Sequence, residues 1–432
     1  MSKPRLPNEL GVVEAASAIR SGALRSRDLV EACLARIEAR EGTIGAWAYL
    51  DVDAARNAAA ARDREAPRGL LHGVPIAVKD IIDTADMPTE YGSPVYRGYC
   101  PARDAACVTS MKRAGAVILG KTVTTEFAYF APGKTANPRN PAHTPGGSSS
   151  GSAAAVADCM VTAAFGTQTA ASITRPASFC GIVGYKPTFG SFDLRGIRPF
   201  AESFDTLGLL ARSVEDVRYL RCALRDEPFD ARAEMPYPRI ALCRTPWWHE
   251  ANDDCRSTVE RAARALERLG AIIVDARLPE HFAGLAELHR EIMVYEGARN
   301  CAEEFAEHRD ELSDTLAALI EQGMKIDHAR YEAACAEAAQ ARSDFAAWMR
   351  RFDLVLAPSA KGEAPRGLAS TGDPLMSRLW TLLRVPSLTL PGFVGAHGLP
   401  IGVQLTGAYQ DDDRLLRWAA WVEAEMFRAA ER

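Results

Sequence analysis

Apolar positions along this chain keep switching between two spacings. Leu29, Val30, Cys33, Leu34 and Ile37 recur at helical spacing, with Ser26 placed to cap and Gly42 just beyond, so residues 8–70 read as helices. Gly73-Val74-Pro75-Ile76-Ala77-Val78 is instead a short β-branched run that reads as a buried strand, and it finishes in Lys79-Asp80. Residues 104–130 predict a helix, a turn, a strand over Ala116-Val117-Ile118-Leu119 and a helix start. Further strand-like runs stand at 161–165, 182–185, 239–243, 271–274, 353–358, 386–391 and 401–406. A helix at 255–269 lies between two of these runs, residues 281–350 are mostly helical and polar, and a helix from about 413 closes the chain. Strands alternating with helices over the whole length predict an α/β architecture. The stretch 141–190 is rich in Gly, Ser, Ala and Pro, but it holds two of the strand-like runs and is not a linker.

Charge and composition narrow the function classes. A net charge of −5 with no block of like charges does not favour a nucleic-acid or anionic-membrane partner. No apolar run approaches the roughly 20 residues that span a bilayer, and the start of the chain lacks the apolar core of a signal peptide, so a cytoplasmic protein is expected. Ten cysteines without a Cys-x-x-Cys pair predict reduced thiols. The eight histidines show no His-Glu-x-x-His spacing, so neither a metal nor another cofactor is expected.

Two familiar patterns occur in the wrong context. Gly115-Ala116-Val117-Ile118-Leu119-Gly120-Lys121-Thr122 fits the phosphate-binding pattern G-x-x-x-x-G-K-[ST], yet its middle prefers a strand to an amide-lined loop, and Gly115 reads as a helix stop. Gly147-Ser148-Ser149-Ser150-Gly151 fits the nucleophile elbow, but two prolines stand where a strand must lead in.

A third grouping joins Lys79, the run Gly146-Gly147-Ser148-Ser149-Ser150-Gly151-Ser152 and the small-residue turn that ends at Ser172. Serine is a weak nucleophile until a base takes its proton, and a lysine serves if it is neutral. A buried lysine at a strand end loses its proton readily; the competing readings are that Lys79 reaches solvent or pairs with Asp80. The 24 positions from Ser148 to Ser172 allow one helix, one short strand and a turn back.

With these motifs, and with Thr124-Thr125-Glu126-Phe127-Ala128, Phe179-Cys180-Gly181 and Gly184-Tyr185-Lys186-Pro187-Thr188, the chain resembles the amidase signature family of serine hydrolases from about residue 8 to 425. The resemblance implies one α/β/α domain over 1–432, a mixed central sheet flanked by helices. Residues 1–70 would be N-terminal helices, 71–240 the signature core and 281–350 a helical layer or lid. It implies hydrolysis of a small carboxylic amide through an acyl-enzyme. Lys79 would be the base, Ser148 the relay after a cis peptide at Gly147, and Ser172 the nucleophile. The amides of Thr169, Ala170, Ala171 and Ser172 would form the oxyanion hole.

The chain departs from that pattern beside the nucleophile. Gln168 stands where the family has Asp, and Thr174, with Arg175 next to it, where the family has Arg; a neutral hydrogen bond from Gln168 is the expected substitute. Ala170 or Ala171 stands where the family has a glycine, which would strain a turn that needs positive φ at either position. The alternatives are the glutaminase-type component of an amidotransferase complex and a catalytically silent binding or scaffold protein. The expected partner is a small-molecule amide, with a homodimer left open. Pocket walls are expected from 125–145, 174–205 and 290–385, where Trp380, Leu382 and Leu383 fit either an acyl pocket or, more commonly, core.

Overall fold

The computed structural model describes residues 5–231 and 235–430. Its strands are β1 (Trp47–Leu50), β2 (Pro75–Lys79), β3 (Val117–Thr122), β4 (Ala163–Gln168), β5 (Val183–Lys186), β6 (Thr206–Ala211), β7 (Arg239–Leu242), β8 (Ile272–Asp275), β9 (Leu354–Pro358), β10 (Ser387–Val394) and β11 (Pro400–Thr406). They form one eleven-stranded sheet in the order β1-β3-β2-β4-β6-β5-β10-β11-β9-β7-β8. The β3-β2-β4 and β9-β7-β8 groups run parallel and the remaining pairings are antiparallel, so the sheet is mixed, as expected. Every residue of β2 and β4 is buried, which is why both read as continuous apolar runs rather than alternating ones. Among the described residues no helix is long and apolar enough to cross a membrane.

Several boundaries differ from the sequence reading, each for a local reason. The helix expected to be capped by Ser26 and stopped by Gly42 spans Ser26–Ile44 and ends at Gly45 in the left-handed region. Its first amides, of Ser26 and Arg27, are satisfied by Asp63, just past the end of the helix Val52–Arg62, so the cap arrives through space. Strand β1 interrupts the helices expected over 8–70; four residues at the sheet edge are too few for a periodic signal. Strand β6 lies outside the expected runs because Gly208 breaks its apolar pattern. That glycine lets the backbone of Tyr185 approach, since a Cβ would lie 2.4 Å from the Tyr185 carbonyl oxygen. Gly115 is a helix stop as expected, with φ of 91°, and the middle of the phosphate-loop pattern is strand β3.

The region 281–350 folds into helices Leu285–Asn300, Ala302–Glu307, Asp314–Gly323 and His328–Met349. A further helix, Leu375–Leu382, packs against the first of them. Trp380, Leu382 and Leu383 are fully buried in the main apolar core, which resolves their assignment in favour of core.

Candidate active site

Parallel neighbours β2 and β4 carry Lys79 and Gln168 out at the same edge of the sheet, where open α/β sheets place their sites. Successive strand residues face opposite sides, so Lys79 and Asp80 diverge. Asp80 pairs instead with Lys121, 3.2 Å away on β3, which rules out the reading in which Asp80 neutralises Lys79. The Lys79 ammonium is buried and lies 2.7 Å from both Ser148 Oγ and Thr167 Oγ1. Burial pushes its pKa down to about 7, with the nearby Asp205 pulling the other way.

Ser148 follows a cis peptide after Gly147 and precedes the helix Ser150–Ala157. Two glycines make this turn possible. Gly146 has φ of 83° and would set a Cβ 2.9 Å from Pro176 Cα, while a Cβ on Gly151 would lie 2.2 Å from the Ala46 carbonyl oxygen. Ser149 donates its amide to the Ser172 carbonyl, which joins the serine-rich run to the turn before the helix Thr174–Cys180.

That turn has an unusual division of hydrogen bonds. Its four carbonyls are all engaged: Thr169 by His289 Nε2 at 2.8 Å, Ala170 by Thr381 Oγ1 at 2.8 Å, Ala171 by the Arg175 amide and Ser172 by the Ser149 amide. None of the amides of Thr169, Ala170, Ala171 and Ser172 donates to another described residue. Buried backbone N–H groups are seldom left unpaired, so this cluster suits an oxygen arriving from a ligand. Neither Ala170 nor Ala171 has positive φ, so the strain anticipated at the missing glycine is absent.

Gln168 and Thr174 touch. Gln168 Oε1 accepts from the amides of Ile173 and Thr174 and from Thr174 Oγ1, and its Nε2 donates to Thr381 Oγ1. Arg175 turns away from them, donating to the carbonyls of Gly147 and Gly372 and to Thr371 Oγ1. Burial lowers the Arg175 guanidinium to about 9.

Sequence reasoning missed Asp205, His289 and Thr381. Asp205 accepts from Thr169 Oγ1 and from the amides of Phe200 and Ala201, and burial raises its pKa to about 6. His289 stacks on Phe204, and burial lowers it to about 3, so the ring is neutral. Because Nε2 must donate to the Thr169 carbonyl, Nδ1 is an unprotonated acceptor without a partner among the described residues. No local motif marks these three side chains, since their partners lie 36, 120 and 211 positions away.

The chain is similar to known proteins over nearly its whole length. The Amidase family model matches residues 28–416. The A component of the glutamyl-tRNA(Gln) amidotransferase of Anaeromyxobacter sp. (strain K) is 35% identical, the match covering 96% of each chain. A crystal structure of an amidase superposes with a TM-score of 0.88 at 30% identity, over 96% of this chain and 99% of the other. The native peptide amidase from Stenotrophomonas maltophilia does so with a TM-score of 0.83 at 31% identity, over 97% of each chain.

Proposed function

Because this chain belongs to the amidase family and acts as a hydrolase of carbon–nitrogen bonds, we propose that it cleaves a small linear carboxylic amide through an acyl-enzyme on Ser172. The observation that carries the reading is the turn 169–172, with its carbonyls tied down and its amides free. In this mechanism Ser172 Oγ attacks the amide carbon while Ser148 Oγ takes its proton and passes its own to Lys79 Nζ. Neutral Lys79 has two N–H bonds and a lone pair; Thr167 Oγ1 accepts one N–H, which leaves the lone pair for Ser148. The free amides receive the oxyanion, and collapse expels the amine, which takes a proton back through Ser148. Water then attacks the ester by the same relay and restores Ser172.

Carrying a proton through Ser148 suits a lysine whose pKa is about 7, because both its protonation states are accessible near neutrality. Gln168 and Thr174 support the turn with neutral groups. The continuous sheet favours taking residues 1–432 as one domain. Likeness to an amidotransferase component favours a second reading, a glutaminase whose ammonia passes to a partner; glutamine hydrolysis that appears only with added partner proteins would select it.

Interception by hydroxylamine tests the acyl-enzyme. With an amide substrate present, hydroxamate should form in wild type and vanish in Ser172→Ala. Undiminished hydroxamate in that variant removes Ser172 from the role.

A further inference from the structure

The helix Leu375–Leu382 lies against the catalytic turn. Ser377 bonds Thr174 and Thr381 bonds the Ala170 carbonyl, two residues one helical turn apart on the same face. Arg378 follows Ser377 and stands one step around the helix from Thr381, at the margin of that face. Its Nε is buried and unpartnered, and among the described residues its guanidinium has neither a hydrogen bond nor an ion pair. The acids nearest in effect do not neutralise it. Asp373 is held by Lys361 at 2.7 Å and by the Leu375 amide, and Glu287 is exposed.

A half-buried guanidinium without a counter-ion is costly, and a second cation makes it more so. Burial is the main cause of the lowered pKa of Arg175 and of His289, and Arg378 sits close enough to add to both; burial raises Tyr129, and Arg378 opposes that rise, so its charge bears on three segments around the turn. Tyr129 stacks on Phe200, giving this corner an apolar wall beside its positive charge. The corner therefore has a forked donor, an excess of positive charge and an apolar side. A carboxylate on a short carbon chain matches all three.

We propose that Arg378 binds a carboxylate of the substrate, so that the preferred amides are monoanions carrying a carboxylate a few carbons from the scissile bond. This rests on the amidase reading of the same site. Arg378 contributes binding and orientation and takes no part in proton transfer.

Succinamate, glutaramate and N-acetylglycine are compared with the neutral butyramide, valeramide and N-ethylacetamide in wild type, Arg378→Gln and Arg378→Lys. Wild type should favour at least one anion over its neutral counterpart by roughly tenfold or more in kcat/KM. Arg378→Gln should lose about 10–100-fold on that anion, chiefly through KM, and less than about threefold on the neutral amide. Arg378→Lys should recover part of the loss, and added salt should weaken the preference. Equal use of neutral and anionic amides by wild type, or an equal loss on both in Arg378→Gln, overturns the proposal. If Ser172 still reacts with a fluorophosphonate in that case, only the carboxylate assignment falls. Absence of both labelling and turnover takes the underlying amidase reading down with it.

Discussion

Lys79 and Lys121 are both fully buried, on adjacent parallel strands, and they meet different fates. In the β2–β3 register Lys121 lies level with Val78, so it shares a face with Asp80, and Lys79 emerges on the other face with Thr122. Burial pushes both ammonium groups down. Asp80 opposes that for Lys121 by direct contact, with Asp83 and Asp86 adding to it. Lys79 has hydroxyls for its contacts and feels only the more distant Asp205. One lysine is thereby held in an ion pair that ties β2 to β3, and the other, facing hydroxyls, is free to give up its proton. Lys186 shows that burial alone does not make a base. It too is lowered to about 7, but it donates to the carbonyls of Pro187 and Val385, which have no proton to surrender.

Exchanging the contrast for its extremes gives the largest effects. Lys79→Met should lower amide turnover on the order of 10³-fold or more while the protein stays folded. Lys121→Met should instead destabilise the fold by about 3–5 kcal/mol by orphaning the Asp80 carboxylate, and Asp80→Asn added to it should restore much of that loss. Thermal or urea unfolding checks the second pair and steady-state kinetics the first. Turnover that falls equally in the two lysine variants, after correction for folded fraction, would erase the distinction.

The contrast also has a pH signature. Activity on amides should rise through about pH 7 as Lys79 deprotonates and then level off. Its folded pKa lies below the roughly 10.4 of an unfolded lysine, so between these values the unfolded chain binds more protons. Stability from this group therefore increases with pH across that window. Lys79→Met should gain most over wild type at and below pH 7, and the gain should fade towards pH 10; a pH series of melting curves reads it directly.

Smaller effects come from the neutral supports around the turn. Gln168→Asp should cost on the order of 1–3 kcal/mol in stability or transition-state binding, because a sheltered carboxylate would replace an amide whose hydrogen bonds are filled. Adding Thr174→Arg should recover part of this, since the two positions touch, whereas strictly additive losses would deny the contact. Thr381→Val frees one carbonyl of the turn and should reduce kcat by about tenfold or less with KM little changed.

Much of this site is legible in the sequence because it is local there. Lys79 closes an apolar run, the serines sit among glycines and Ser172 ends a small-residue turn, so strand, turn and nucleophile can be read together. The alternating strands and helices likewise point to the α/β class. What escapes depends on distant partners. The fate of Lys79 hinges on Asp80 finding Lys121, a residue whose motif suggests phosphate binding and whose strand context does not allow it. The clamps on the turn come from His289 and Thr381, and no periodicity in the chain announces which of their faces will meet Thr169 and Ala170. The strain expected at Ala170 and Ala171 follows from a missing glycine, but the turn keeps both at negative φ.

In this mechanism a lysine spared a carboxylate activates Ser172 through Ser148. Peptide mapping of the fluorophosphonate adduct, with its rate of formation followed across pH, tests this most directly. Modification of Ser172 is expected, at a rate that climbs through about pH 7 in wild type and is low and flat in Lys79→Met. An adduct on Ser148 or Ser149, or the same pH profile with and without Lys79, would contradict it.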